Sequence, residues 1–115
     1  MGHIYWIKTD GSEESVEKDI SSEKVNTEFF KYIDIANQRF NGSHLEFVWV
    51  LHNNKRTLMI VDELGAIPVK SGYPLPINMK ATDIYHNASR SRGKDWVGPP
   101  YIHGDVLLFE AIEID

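Results

Sequence analysis

There is no cysteine among the 115 residues of this chain. Disulfide scaffolds, thiolate zinc sites and cysteine nucleophiles are excluded together, and a reducing compartment fits. No apolar run approaches the roughly 20 residues that a membrane-spanning helix needs. The opening Met1-Gly2-His3-Ile4-Tyr5-Trp6 has neither the basic segment nor the long apolar stretch of a secretory signal. Trp6 also stands where a myristoylation pattern wants Ser or Thr. The expectation is a cytoplasmic protein with no membrane partner. Linker-like stretches, internal repeats and low-complexity segments are missing too, so residues 1–115 read as a single domain.

Basic charge is scarce: 12 Lys and Arg against 17 Asp and Glu give a formal net charge of −5. Duplex nucleic acid is thereby disfavoured as a partner, because neutralising phosphates supplies most of such affinity. The deficit is uneven along the chain. Residues 1–24 set Asp10, Glu13, Glu14, Glu17, Asp19 and Glu23 against Lys8, Lys18 and Lys24. The last eleven residues hold Asp105, Glu110, Glu113 and Asp115 with no Lys or Arg. Residues 80–94 invert the balance, with Lys80, Arg90, Arg92 and Lys94 against Asp83 alone.

What is present is a globular composition, 42% hydrophobic and 25% charged. A chain of this size buries roughly two thirds of the surface its unfolded form exposes, so it needs no metal or disulfide staple. His3–Lys8 is β-branched and aromatic and stops at the turn residues Thr9-Asp10-Gly11-Ser12, which predicts a first strand. Ser15–Ile20 alternates weakly and suits an edge strand beside it. Ser21 or Ser22 caps a helix over about 22–40, with Val25, Phe29, Ile33, Ala36 and Phe40 on one face and Tyr32 beside them. Asn41-Gly42 ends it.

Leu45, Phe47, Trp49 and Leu51 alternate with Glu46, Val48 and Val50. Only Glu46 is polar, so both faces of that strand should be at least partly covered, with Phe47 and Trp49 in the core. His52–Arg56 reads as a hairpin loop into Thr57–Val61, and Asp62-Glu63-Leu64-Gly65 as the closing turn. Pro68, Gly72, Pro74 and Pro76 keep 66–76 irregular. Asn78 can cap a second helix with Ile77, Ala81, Ile84, Tyr85 and Ala88 on one face. Ser89–Tyr101 returns to loop, and Asp105–Ile112 is a final, central strand. The predicted class is α+β, a small mostly antiparallel sheet in the order β-α-β-β-α-β with two helices packed on it.

Asp62-Glu63-Leu64-Gly65, then Leu75-Pro76-Ile77-Asn78 running into Lys80-Ala81-Thr82, then Gly104-Asp105-Val106-Leu107-Leu108 form a recognisable series. The Tyr5-Trp6-Ile7 strand followed by Asp10-Gly11 and a helix agrees with it. The series resembles domain of unknown function family 3846, small proteins frequent in bacteriophages and mobile elements. About twenty residues carry the specific part. Lys70–Pro74 and the basic 89–101 stretch depart from the pattern. The family brings no activity and no catalytic residue. The resemblance implies a viral setting in a host cytoplasm, where small accessory proteins bind host factors or hold nucleotide signals of host defence.

Ser89-Arg90-Ser91-Arg92-Gly93-Lys94-Asp95-Trp96 is the richest stretch chemically. Guanidinium groups bind phosphate bidentately, Gly lets backbone approach, and indole stacks on a base. A solvated loop at a helix C-terminus explains the same cations through the helix dipole, and both readings stand. P-loop spacing is absent. His3, His44, His52, His86 and His103 show no metal-ligand spacing, and no Ser has a recognisable His partner. Asp62 and Glu63, as neighbours in extended chain, should point apart. Tyr73 and Tyr101 are loop tyrosines that could line a pocket together.

The sequence thus predicts a non-enzymatic protein, needing no cofactor, that captures a small phosphorylated ligand such as a nucleotide-derived signal. Arg90, Arg92 and Lys94 would hold phosphate, Trp96 would stack, and Tyr73 and Tyr101 would line the pocket. Two alternatives stay open: an acidic protein–protein module that masks a host protein, and a nucleotide hydrolase. Unpaired sheet edges also make a homo-oligomer an open expectation.

Overall fold

Alternation along the strands sends side chains to both sides of one sheet, and helices cover both sides. The computed structural model describes residues 2–41, 44–52, 55–69, 71–91 and 101–110, with the side chains of 88–91 excepted. The elements are β1 (Gly2–Ile7), β2 (Glu13–Ile20), α1 (Ser22–Thr27), α2 (Phe29–Arg39), β3 (Leu45–His52), β4 (Lys55–Asp62), α3 (Met79–Ser91) and β5 (Val106–Glu110). The sheet order is β2-β1-β5-β4-β3, and every neighbouring pair is antiparallel. The protein is an α+β fold, as the antiparallel hairpin of β3 and β4 predicts despite the interleaving of strands and helices.

Ile4 and Trp6 of β1, Leu58 and Ile60 of β4 and Leu107 and Phe109 of β5 point to one side. There they meet Val25 of α1, Tyr32 and Ala36 of α2, and Phe40 just beyond it. The intervening residues Tyr5, Ile7, Met59, Val61, Val106 and Leu108 point to the other side, against Ala81 and Ile84 of α3. The sheet is therefore a middle layer. Its central strand β5 is buried on both faces over Val106–Phe109, which explains the uninterrupted apolar run.

Several boundaries differ from the sequence reading, each for a local reason. The helix expected over 22–40 is broken at Glu28, whose backbone leaves the helical range at φ −106°, ψ 18°. Thr27 Oγ1 donates back to the Glu23 carbonyl, a contact that bends helices. Its start and stop are as the turn chemistry requires: Ser21 Oγ accepts from the Lys24 amide, and Asn41 is left-handed at φ 52°. The edge strand β2 is longer than Ser15–Ile20, starting at Glu13. His52 and Lys55 pair, so only residues 53 and 54 separate β3 from β4.

Phe47 is not core. It is 49% exposed, whereas Trp49 is half-buried with the Arg56 guanidinium 4.1 Å from its ring centroid. Ile77 is off the helix, in a β-bridge with His103, because Asn78 starts α3 only at Met79. α3 in turn runs through Ser91, which puts Arg90 on its last turn rather than in the loop. Arg is a good helix former and the first breaker after it is Gly93. Asp105 lies just outside β5, its carboxylate turned to other partners.

Candidate functional site

β1 and β4 end, and β2, β3 and β5 begin, at the same end of the sheet. Asn78 organises that end. Its Oδ1 accepts from the Ala81 amide and caps α3, while its Nδ2 donates to the carbonyls of Ile7 and Gly104. One fully buried side chain thereby ties a helix start to the end of β1 and the approach to β5. The chain that returns after α3 is pinned beside it. The Asn78 amide donates to the Ile102 carbonyl, and the Ile102 amide donates to Thr82 Oγ1 at 2.8 Å. Tyr101 is consequently held next to α3.

A cavity of about 170 Å³ opens there, walled by Tyr85, Tyr101, Ile102 and His103 and by Glu46, Asp62 and Glu63. Asp62 is buried by the turn it makes: Oδ1 accepts from the Leu64 amide at 3.0 Å, and Oδ2 accepts from the Tyr73 hydroxyl. Asp62 and Glu63 were expected to point apart, yet both border this cavity, because the strand ends at Asp62 and the chain turns at once. His103 is oriented by a 2.6 Å contact between Nδ1 and the Leu75 carbonyl oxygen.

A second cavity, about 240 Å³, shares Asp62 with the first and is lined also by Tyr73, Thr9, Arg39, Asn41 and Asp105. Its polar groups are largely committed to one another. Asp105 accepts from the Thr9 amide and from Arg39, whose Nη1 reaches Glu14 at 3.2 Å. The Arg39 guanidinium sits 4.5 Å from the Trp6 ring centroid. Burial opposes the Arg39 charge, but the hydrogen bonds it donates to Asp105 and Glu14 outweigh that and raise the pKa above its ordinary value. This is a structural cation rather than a waiting anion site.

Of the residues singled out in the sequence, Tyr101 lines the first cavity and Tyr73 the second, so they share Asp62 as a common wall rather than one pocket. Arg92, Lys94 and Trp96 lie outside the described residues, as does the Arg90 side chain. Sequence reasoning missed Glu46 and Tyr85 as site residues. The available signals were a lone carboxylate on an apolar strand and a hydroxyl-bearing ring on a helix face. The stretches around Asp62–Gly65, Leu75–Asn78 and Gly104 meet at this end of the sheet. The Leu75 amide bonds the Gly65 carbonyl, and the Gly104 amide bonds the Pro76 carbonyl. A Cβ on Gly65 would stand 2.8 Å from the His103 carbonyl oxygen, and one on Gly104 would stand 2.6 Å from Leu75. These motif positions therefore build the frame.

At the opposite end, Tyr5 Oη donates to Glu110 at 2.6 Å, with His52 3.7 Å from the same carboxylate. Burial, then the Glu110 hydrogen bond and charge, push the Tyr5 hydroxyl well above the ordinary phenol range. Among the described residues no three His, Asp or Glu side chains gather as metal ligands. No helix among them is long and apolar enough to cross a membrane.

Compared with known proteins, the chain matches no family model, and neither a curated protein nor a solved structure is significantly similar to it.

Proposed function

We propose that the protein is a binding module that captures a small phosphorylated molecule bearing a ring, of nucleotide type, at the cavity between Tyr85 and Tyr101. One observation carries this reading: two tyrosines that flank the basic segment in sequence wall a single cavity with three carboxylates. Tyrosine faces stack on a heterocycle, and carboxylates accept from its amino and hydroxyl groups. At about 170 Å³ the cavity is smaller than most small-molecule pockets. It suits the ring; the phosphate would fall to Arg90, Arg92 and Lys94 of the basic segment, and Trp96 would stack. The resemblance to family 3846, and the viral accessory role that goes with it, belong to the same proposal.

The carboxylates favour a second reading. Glu46, Asp62 and Glu63 on one cavity suit a basic side chain of a protein partner. Thermal denaturation against a panel of linear and cyclic nucleotides separates the two, because a ligand of the folded state raises the melting temperature. At least one nucleotide should raise it. The rise should vanish in Arg90→Ala with Arg92→Ala, and shrink in Tyr101→Ala. No rise with any nucleotide, together with capture of a Lys- and Arg-rich peptide, would transfer the conclusion to the protein partner.

A further inference from the structure

β3 is an eight-residue strand at the edge of the sheet, and among the described residues no strand pairs with its outer side. It pairs with β4 in unbroken register from Leu45 to His52, with no bulge. No Lys, Arg or Pro interrupts it. Such an edge is a template for another strand. On the face toward α1 and α2 it exposes Phe47 and Leu51, 49% and 42% accessible, and the Phe47 ring adjoins Phe29, which adjoins the 80% exposed Phe30.

We propose that β3 pairs antiparallel with β3 of a second copy of this chain, joining two sheets into one of ten strands. The order of residues in LEFVWVLH selects the occupant. Centred on Trp49, a two-fold pairing sets Glu46 opposite His52 of the partner subunit, Phe47 opposite Leu51 of the partner subunit, and Val48 opposite Val50 of the partner subunit. Acid meets imidazole at each end and apolar meets apolar between them. Every pair also joins residues of the same face, as antiparallel pairing demands. Phe47 and Leu51 from both copies then form one apolar stripe, covered where a monomer would leave it wet.

The pairing closes by symmetry and uses up both exposed β3 edges, so it stops at a dimer. It stands apart from the ligand reading, although Glu46 and Val48 also line the tyrosine-walled cavity. The stripe of Phe47 and Leu51 lies on the other face of the sheet, so substitutions there test the dimer without touching that cavity.

Sedimentation of the full chain should show a species of twice 13.2 kDa. Phe47→Lys with Leu51→Lys should weaken association at least about tenfold while far-UV circular dichroism is unchanged. A wild-type chain that stays monomeric up to about 100 µM, or a doubly substituted chain that dimerises as before, would overturn the proposal. The register has its own test, kept clean by the absence of native cysteine. Oxidising a mixture of Phe47→Cys and Leu51→Cys chains should give chiefly the mixed disulfide. Identical residues at these positions would stand about four residues out of register, roughly 13 Å along the strand. Cross-linking dominated by identical chains would overturn the pairing.

Discussion

β2 and β3 are both eight-residue edge strands, but only β2 carries features that discourage a further strand. β2 bears Glu13, Glu14, Glu17, Lys18 and Asp19, its register against β1 shifts twice, and Asp19 is left-handed at φ 53°. It is also tied inward, since Glu14 meets Arg39 and Glu13 meets Lys80. β3 keeps an unbroken register against β4, with Glu46 its one carboxylate and Phe47 and Leu51 exposed. The pair teaches that one sheet can hold a closed edge and an open one, and that charge and breaks in register, rather than length, make the difference.

The largest effect should come from a change that damages both halves alike. Asn78→Ala removes the shared anchor of β1, α3 and the approach to β5, and leaves the Ile7 and Gly104 carbonyls unsatisfied in the interior. Urea denaturation should show a loss of about 3 kcal/mol. A loss under about 1 kcal/mol would mean that the edges hang on something else.

Arg39→Met should cost about 1–2 kcal/mol, from two part-exposed ion pairs and the stacking on Trp6. Hydrogen exchange should quicken in β1 and β2 before β4 and β3. Equal quickening across the sheet would erase the claim that β2 is separately tied.

Phe47→Lys with Leu51→Lys should shift monomer stability by no more than about 0.5 kcal/mol, because both side chains are largely outside the core. A larger loss in urea would make the β3 edge structural rather than open.

The smallest effect belongs to the turn leading into β2. Asp10 accepts from the Ser12 hydroxyl and amide, which holds its carboxyl below 3.8. A depressed folded value stabilises above the unfolded pKa and is lost as pH falls through the folded one, so the contribution is present above about pH 4. An NMR titration should place Asp10 below 3.8, and Ser12→Ala should raise it. An unmoved titration would show that this turn does not depend on the side chain.

Local chemistry made much of the fold legible. Ser21, Asn41 and Asn78 mark helix ends because their side chains or backbones satisfy groups only a few residues away. The apolar run of β5 marks a strand covered on both faces. Phe47 escaped the same logic: its alternation with Glu46 and Val48 is that of a core residue, and exposure follows from β3 lying last in the sheet. The candidate site was legible only in part. Tyr101 stood out as a loop aromatic, but its union with Tyr85, Asp62 and Glu46 joins four separate stretches of chain.

Short-range bonding and periodicity decide turns, caps and which residues of each strand are apolar, since these depend on neighbours along the chain. Strand order, the sharing of Asp62 by two cavities and the contrast between the edges come from packing between residues far apart in sequence. No pattern of local spacing encodes which strands end up outermost, and that placement, joined to the scarcity of charge along β3, is what sets this edge apart from the other.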